Sequence, residues 1–198
     1  MRIFAGMVLG VLLSACTTGP AIETALIPKA SHRLNDVSIF AVADAGWTRA
    51  MVQKWTKHMP QRLSECGIKL GIVKITMIER SDLHKLAEEI KSSGPLIIFA
   101  DKTGTDINGR TSGGVTISRG SRSYAIIARR SPSGSRFRPE QTVTHELGHI
   151  LGLVHAPAKD LKGQPNVNLM QPRGCLYCSF TMAQCRKMRA NKLFHKIH

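Results

Sequence analysis

The chain has 198 residues, 42% of them hydrophobic and 21% charged, and its 28 lysines and arginines outweigh 13 acidic residues to leave a formal charge of +15. Length and apolar content suffice for one domain with a proper core and exclude a chain too polar to fold; no repeat or second independent domain is legible. The charge favours anionic partners: phospholipid headgroups, acidic polysaccharide, lipid A phosphates, acidic proteins or nucleic acid. The basic residues are scattered, as at Arg119, Arg122, Arg129, Arg130, Arg136 and Arg138, without aromatic interleaving, which argues against nucleic acid. A basic solvated surface with no dedicated target is the alternative to an anionic envelope surface.

The chain opens Met1-Arg2-Ile3, is apolar from Ile3 to Leu13, and reaches Leu13-Ser14-Ala15-Cys16. A basic start, a short apolar run and small residues make an export signal, too short to stay in a bilayer as a helix. Leu-Ser-Ala-Cys resembles the bacterial lipobox, which implies cleavage after residue 15 and lipid on Cys16. Thr17, where an aspartate would retain the protein at the inner membrane, implies the outer membrane, facing the periplasm or the outer surface. The expected division is a signal peptide at 1–15, a lipidated tether at 16–35 and a catalytic domain at 36–198. Gly19, Pro20 and Pro28 in the tether interrupt any periodic pattern.

Val37–Val42 is a short apolar run and predicts a first strand. Trp47, Met51, Trp55, Met59 and Leu63 recur every four residues, predicting one amphipathic helix to about Glu65 with both tryptophans in the core. Ile68 to Ile78 reads as a second strand whose phase shifts at Gly71-Ile72, the mark of a bulge. Ser81-Asp82 caps a helix through about Lys91. Leu96–Ala100 is continuously apolar, as a buried central strand is. Asp101 to Gly114 is loop; Val115–Ser118 and Tyr124–Ala128 are two more strands. Ser131 to Ser135 is a link, and Pro139-Glu140 suits the first turn of the next helix.

That helix carries the pattern His145-Glu146-x-x-His149-x-x-Gly152-x-x-His155. Residues four apart share a helix face, so His145 and His149 offer two imidazoles to one metal ion, with Glu146 beside them. Gly152 can end the helix in the left-handed conformation and turn the chain to bring His155 back as third ligand. Three protein ligands and an open fourth position describe a catalytic zinc. Five fixed positions arise by accident in roughly fewer than one such chain in a thousand.

The long histidine motif resembles the metzincin clan of zinc metallopeptidases, in which a later methionine turn lies under the zinc. Asn168-Leu169-Met170-Gln171 supplies that turn, and Met170 would form the apolar floor. The resemblance implies an α+β, zincin-like fold of metzincin type. Its parts are a mixed, mostly parallel twisted sheet of about five strands with an antiparallel edge strand, an active-site helix, and a small C-terminal subdomain with a terminal helix. The upper subdomain would span 36–152 and the lower 153–198. Val115–Ser118 would be the edge strand, pairing with an extended peptide or protein substrate. The activity implied is that of a zinc endopeptidase of the bacterial envelope: zinc on His145, His149 and His155 acidifies a bound water, and Glu146 is the general base. Two features depart from the clan. Pro172 stands where some members place a ligand tyrosine, with Tyr177 no clear substitute, and Ala156 follows the third histidine, so no subgroup is assigned.

Thr181 through about Leu193 predicts the terminal helix, with Met182, Cys185, Met188 and Leu193 facing inwards. Cys66, Cys175, Cys178 and Cys185 read as two disulfides of unspecified pairing, with a four-cysteine structural zinc as the rival because Cys175-x-x-Cys178 has ligand spacing. Archaemetzincins carry such a second zinc, but their cysteine after the third histidine is absent around Lys159. The molecule is expected to be a monomer. Two other functions stay open: a zinc amidase or peptidase acting on peptidoglycan cross-links, and a non-catalytic envelope binding or assembly lipoprotein.

Overall fold

A computed structural model of the chain describes residues 30–79, 93–103, 112–119, 122–129, 139–156, 168–171 and 178–196. The helix expected at 81–91 and the loops at 157–167 and 172–177 lie outside the described residues.

The strands are β1 (His32–Leu34), β2 (Val37–Val42), β3 (Ile68–Lys69), β4 (Val73–Ile78), β5 (Leu96–Ala100), β6 (Gly114–Arg119), β7 (Arg122–Ala128) and β8 (Phe194–Lys196). The helices are α1 (Arg49–Thr56), α2 (Met59–Ser64), α3 (Pro139–Ile150) and α4 (Met182–Arg189). Five strands form one sheet in the order β4-β2-β5-β7-β6. All its pairings are parallel except β6 with β7, which is antiparallel and puts β6 at the edge. The expected fold class is therefore the observed one.

β5 lies at the centre because its residues can be buried on both faces. Ile97 and Phe99 join the larger core beneath α1 and α3, while Leu96, Ile98 and Ala100 join a smaller cluster on the opposite face. β6 alternates likewise: Val115 and Ile117 pack against the smaller cluster, so Gly114 and Thr116 point to the helix side. This alternation is what turns Thr116 towards Glu146 on α3. Both tryptophans are core residues, as the four-residue spacing predicts. Trp47 stands edge-on to Trp55 and to Phe99, with ring centroids 4.6 and 4.8 Å apart, and its indole N–H donates to Ala100 O at 2.9 Å.

Four sequence expectations need correction. The single helix to Glu65 is two, and Pro60 is the reason. It has no N–H to give the carbonyl four residues back, and its ring clashes there. That carbonyl belongs to Thr56, where α1 stops; Pro60 then occupies the first turn of α2, where its missing donor costs nothing.

The supposed bulge at Gly71-Ile72 is a change of sheet. β3 pairs with β1, whereas β4 joins β2, and Asp36 Oδ1 accepts the Ile72 N–H at 2.9 Å between them. Gly71 is needed at the crossing, since a Cβ there would sit 2.7 Å from Leu34 O.

Ordered structure also begins inside the segment expected as tether. His32–Leu34 is a strand, with Leu34 wholly buried, and it lies between β3 and β8 in a second, three-stranded sheet. Strand β8 was not foreseen at all. In α4, Cys185 and Met188 are buried as expected, but Met182 is 66% exposed.

Candidate metal centre

The end of α3 is built by Gly152. Its φ of +88° is left-handed, and its N–H donates to His149 O while Leu153 N–H donates to Gly148 O. These two bonds satisfy carbonyls that the helix end would leave open, and they reverse the chain. His155 returns over the face that carries His145 and His149. The Nε2 atoms of His149 and His155 lie 3.1 and 3.2 Å from that of His145.

Each of the first two rings is oriented from behind. His145 Nδ1 meets Leu169 O at 2.7 Å, and His149 Nδ1 meets Leu153 O at 2.9 Å. A carbonyl can only accept, so both Nδ1 atoms carry a proton, and in the neutral form of each ring Nε2 presents a lone pair. Two lone pairs facing each other at 3.1 Å repel, and a cation between them removes the conflict. Tetrahedral zinc with nitrogen ligands at about 2.05 Å holds them about 3.3 Å apart, so the residues fit that ion. Among the described residues this is the one group of side chains gathered closely enough to hold a metal. Burial holds the His145 imidazole down at about 4, against the Leu169 hydrogen bond and aided by the neighbouring rings. His155 is also lowered, by burial and then by His149, although it is the most open of the three. Neutral imidazole is the form that binds metal.

Glu146 is 5% exposed, and burial raises its carboxyl to about 7. The opposing influence is Thr116 on β6, whose hydroxyl lies 2.7 Å from Glu146 Oε2 and 3.1 Å from the Glu146 carbonyl. Gly114, two residues earlier on the same face, leaves the space that the acid fills: a Cβ there would be 2.8 Å from Glu146 Cγ and 2.9 Å from Oε1. One oxygen of the carboxylate is thereby tied to the sheet, and strand β6 sets the position of a helix residue.

Met170 is wholly buried, and a Cβ on Gly148 would come within 2.6 Å of its sulfur. The missing side chain at Gly148 is thus what lets the turn lie against the histidine helix. Asn168 Oδ1 accepts the Met170 N–H at 2.9 Å, and Ala156 N–H donates to Met170 O at 2.9 Å.

Cys66 and Cys185 form a disulfide across 119 residues, and Cys178 is disulfide-bonded as well. Oxidised sulfurs are not thiolate ligands, so the four-cysteine zinc is set aside. Cys16, Cys175, Pro172 and Tyr177 lie outside the described residues. The sequence reading missed Thr116, Gly114 and Gly148. For Thr116 the signal was present in the alternation Gly114-Val115-Thr116-Ile117, but it acquires meaning only once β6 is known to cross α3.

Sheet, edge strand and histidine helix together make a zincin-like fold. No protein-family model matches the sequence, and no curated protein does. By structure the chain is similar to metalloproteinase-II from Bacteroides fragilis, with a TM-score of 0.54 and 15% identity over 81% of this chain and 53% of that one. This chain thus spans about half the length of that protein. It is also similar to an archaemetzincin from Methanopyrus kandleri, at a TM-score of 0.48 and 17% identity over 83% of this chain and 97% of that one, a likeness too slight to argue from. Such identities speak to the fold alone.

Proposed function

We propose that the protein is a zinc-dependent endopeptidase of the bacterial envelope. The observation that carries this reading is the convergence of three imidazole Nε2 atoms beside a buried carboxylate, with two rings locked by backbone carbonyls. His145, His149 and His155 hold the ion, and Met170 closes the space beneath it. Zinc in this setting supplies a Lewis acid for the scissile carbonyl and makes water nucleophilic near neutral pH.

Glu146 accepts the proton of the attacking water and passes it to the leaving amine. Its raised carboxyl belongs to the metal-free site, and a nearby cation pulls it back towards the ionised form that a base needs. Thr116 keeps one carboxylate oxygen occupied and leaves Oε1 as the oxygen to take the proton. Strand β6 ends the sheet order, and its outer backbone groups suit an extended peptide added as a further strand. The export signal and Leu13-Ser14-Ala15-Cys16 support a lipid anchor at Cys16 in the outer membrane. Among the described residues no helix is long and apolar enough to cross a membrane.

The test is zinc content together with digestion of casein, with and without 1,10-phenanthroline. Zinc near one per chain and chelator-sensitive cleavage are expected. Glu146→Gln should keep the zinc and lose at least a hundredfold in rate. Cleavage by Glu146→Gln at the parent rate refutes the mechanism.

A further inference from the structure

We propose that Gln184, on the terminal helix, is a positioning residue for the metal centre, acting through Asn168 on the turn that carries Leu169 and Met170. The inference rests on the metal reading of the histidine triad. Gln184 caps its own helix: its Oε1 accepts the Thr181 N–H at 2.9 Å, and its N–H donates to Thr181 Oγ1 at 3.2 Å. That exchange uses only the oxygen of the amide, and a glutamate performs it equally well. The amide nitrogen has a separate task. Gln184 Nε2 donates to Asn168 Oδ1 at 3.2 Å, the same oxygen that accepts the Met170 N–H at 2.9 Å.

From that oxygen the turn reaches two of the three histidines. Gln171 N–H donates to Asn168 O at 3.2 Å and closes the turn. Within it, Leu169 O receives the His145 ring proton at 2.7 Å, and Met170 O receives the N–H of Ala156, the neighbour of His155, at 2.9 Å. Gln184 therefore fixes which way the Asn168 amide faces. With its oxygen turned to the Met170 N–H, the turn is closed and Leu169 O is aimed at the ring.

A carboxylate at position 184 reverses this preference. It repels Asn168 Oδ1 and attracts the Asn168 NH2, so the amide turns round and the Met170 N–H loses its acceptor. The helix cap survives and the ring support does not. Groups that orient a metal-bound histidine from behind commonly account for about 10- to 100-fold in metal affinity.

The experiment titrates zinc into the purified full chain against a chromophoric chelator, and melts the metal-free protein in parallel. The comparison is between Gln184→Glu and Thr181→Ala, which weakens the cap but leaves the Gln184–Asn168 contact. We expect Gln184→Glu to bind zinc about 10- to 100-fold more weakly, with a metal-free melting point no lower than that of Thr181→Ala. Thr181→Ala should melt lower with zinc affinity held. With methyl-labelled methionine, the Met170 signal should move in the first variant and stay in the second. The inference is overturned if Gln184→Glu binds zinc like the parent, or if affinity falls in both variants in step with their melting points. A parent chain that binds no zinc overturns the metal centre, and this inference with it.

Discussion

As the proposed base, Glu146 has to ionise although it is buried. Burial raises its carboxyl, the Thr116 hydroxyl opposes the shift, and the balance leaves it at about 7. Thr116→Val keeps the shape and removes the donor. One lost hydrogen bond to a charged group, about 1.5 kcal/mol, corresponds to roughly a tenfold fall in kcat. Zinc content should not change, and Thr116→Ser should restore the rate. Equal kcat values for the parent and the valine variant would show that the hydroxyl only fills space. Gly148 presents the opposite problem, since any side chain there meets the Met170 sulfur. Gly148→Ala should destabilise the fold by about 1–3 kcal/mol through overpacking, read as a lower urea midpoint. A simultaneous Met170→Ala should recover part of that loss.

At the level of elements, the triad depends on how α3 ends. A straight continuation of the helix would carry His155 away from His145, and the left-handed Gly152 prevents it. A Cβ at 152 has room, its nearest neighbour being Asn191 Nδ2 at 3.7 Å, so the cost of Gly152→Ala is backbone strain alone. About 1–2 kcal/mol is expected, with weaker zinc binding because Leu153 O and His155 both follow the turn. An alanine variant with the parent's melting point and zinc affinity would refute this account. α1 and α2 illustrate the same dependence on one residue, since the apolar spacing runs through 57 and 58 but Pro60 does not allow the hydrogen bonds to follow.

Across the whole molecule, β1 and the Cys66–Cys185 bridge tie the beginning of the chain to its end. β1 pairs with β8, and the disulfide joins the chain just after α2 to α4, the helix whose cap reaches the methionine turn. Closing a loop of 119 residues restricts the unfolded chain strongly. Replacing both cysteines by alanine should cost about 2–5 kcal/mol in denaturant unfolding. A loss below 1 kcal/mol would mean that the unfolded chain is already compact there. Metal removal should act on the same equilibrium: zinc bound only to the folded state raises the melting point, and a chelator should return it to the metal-free value.

The sequence alone brought out the three histidines that converge, Glu146 beside them, the helix end at Gly152 and the central, doubly buried β5. Each of these is a local pattern: a helical spacing of four, a glycine at a turn, an apolar run. It also made the edge position of β6 legible through the resemblance to a known clan. The sequence did not show that Thr116 meets Glu146, that Gly148 yields to Met170, or that Gln184 reaches Asn168, because those partners are 30, 22 and 16 residues apart and no local periodicity links them. β1 and β8 escaped notice for a related reason. Three-residue strands have too short a pattern to register, and they exist because each supplies the other's backbone partners. The identity of the donors was local, and what holds each donor in place was decided by the elements that happen to pass behind it.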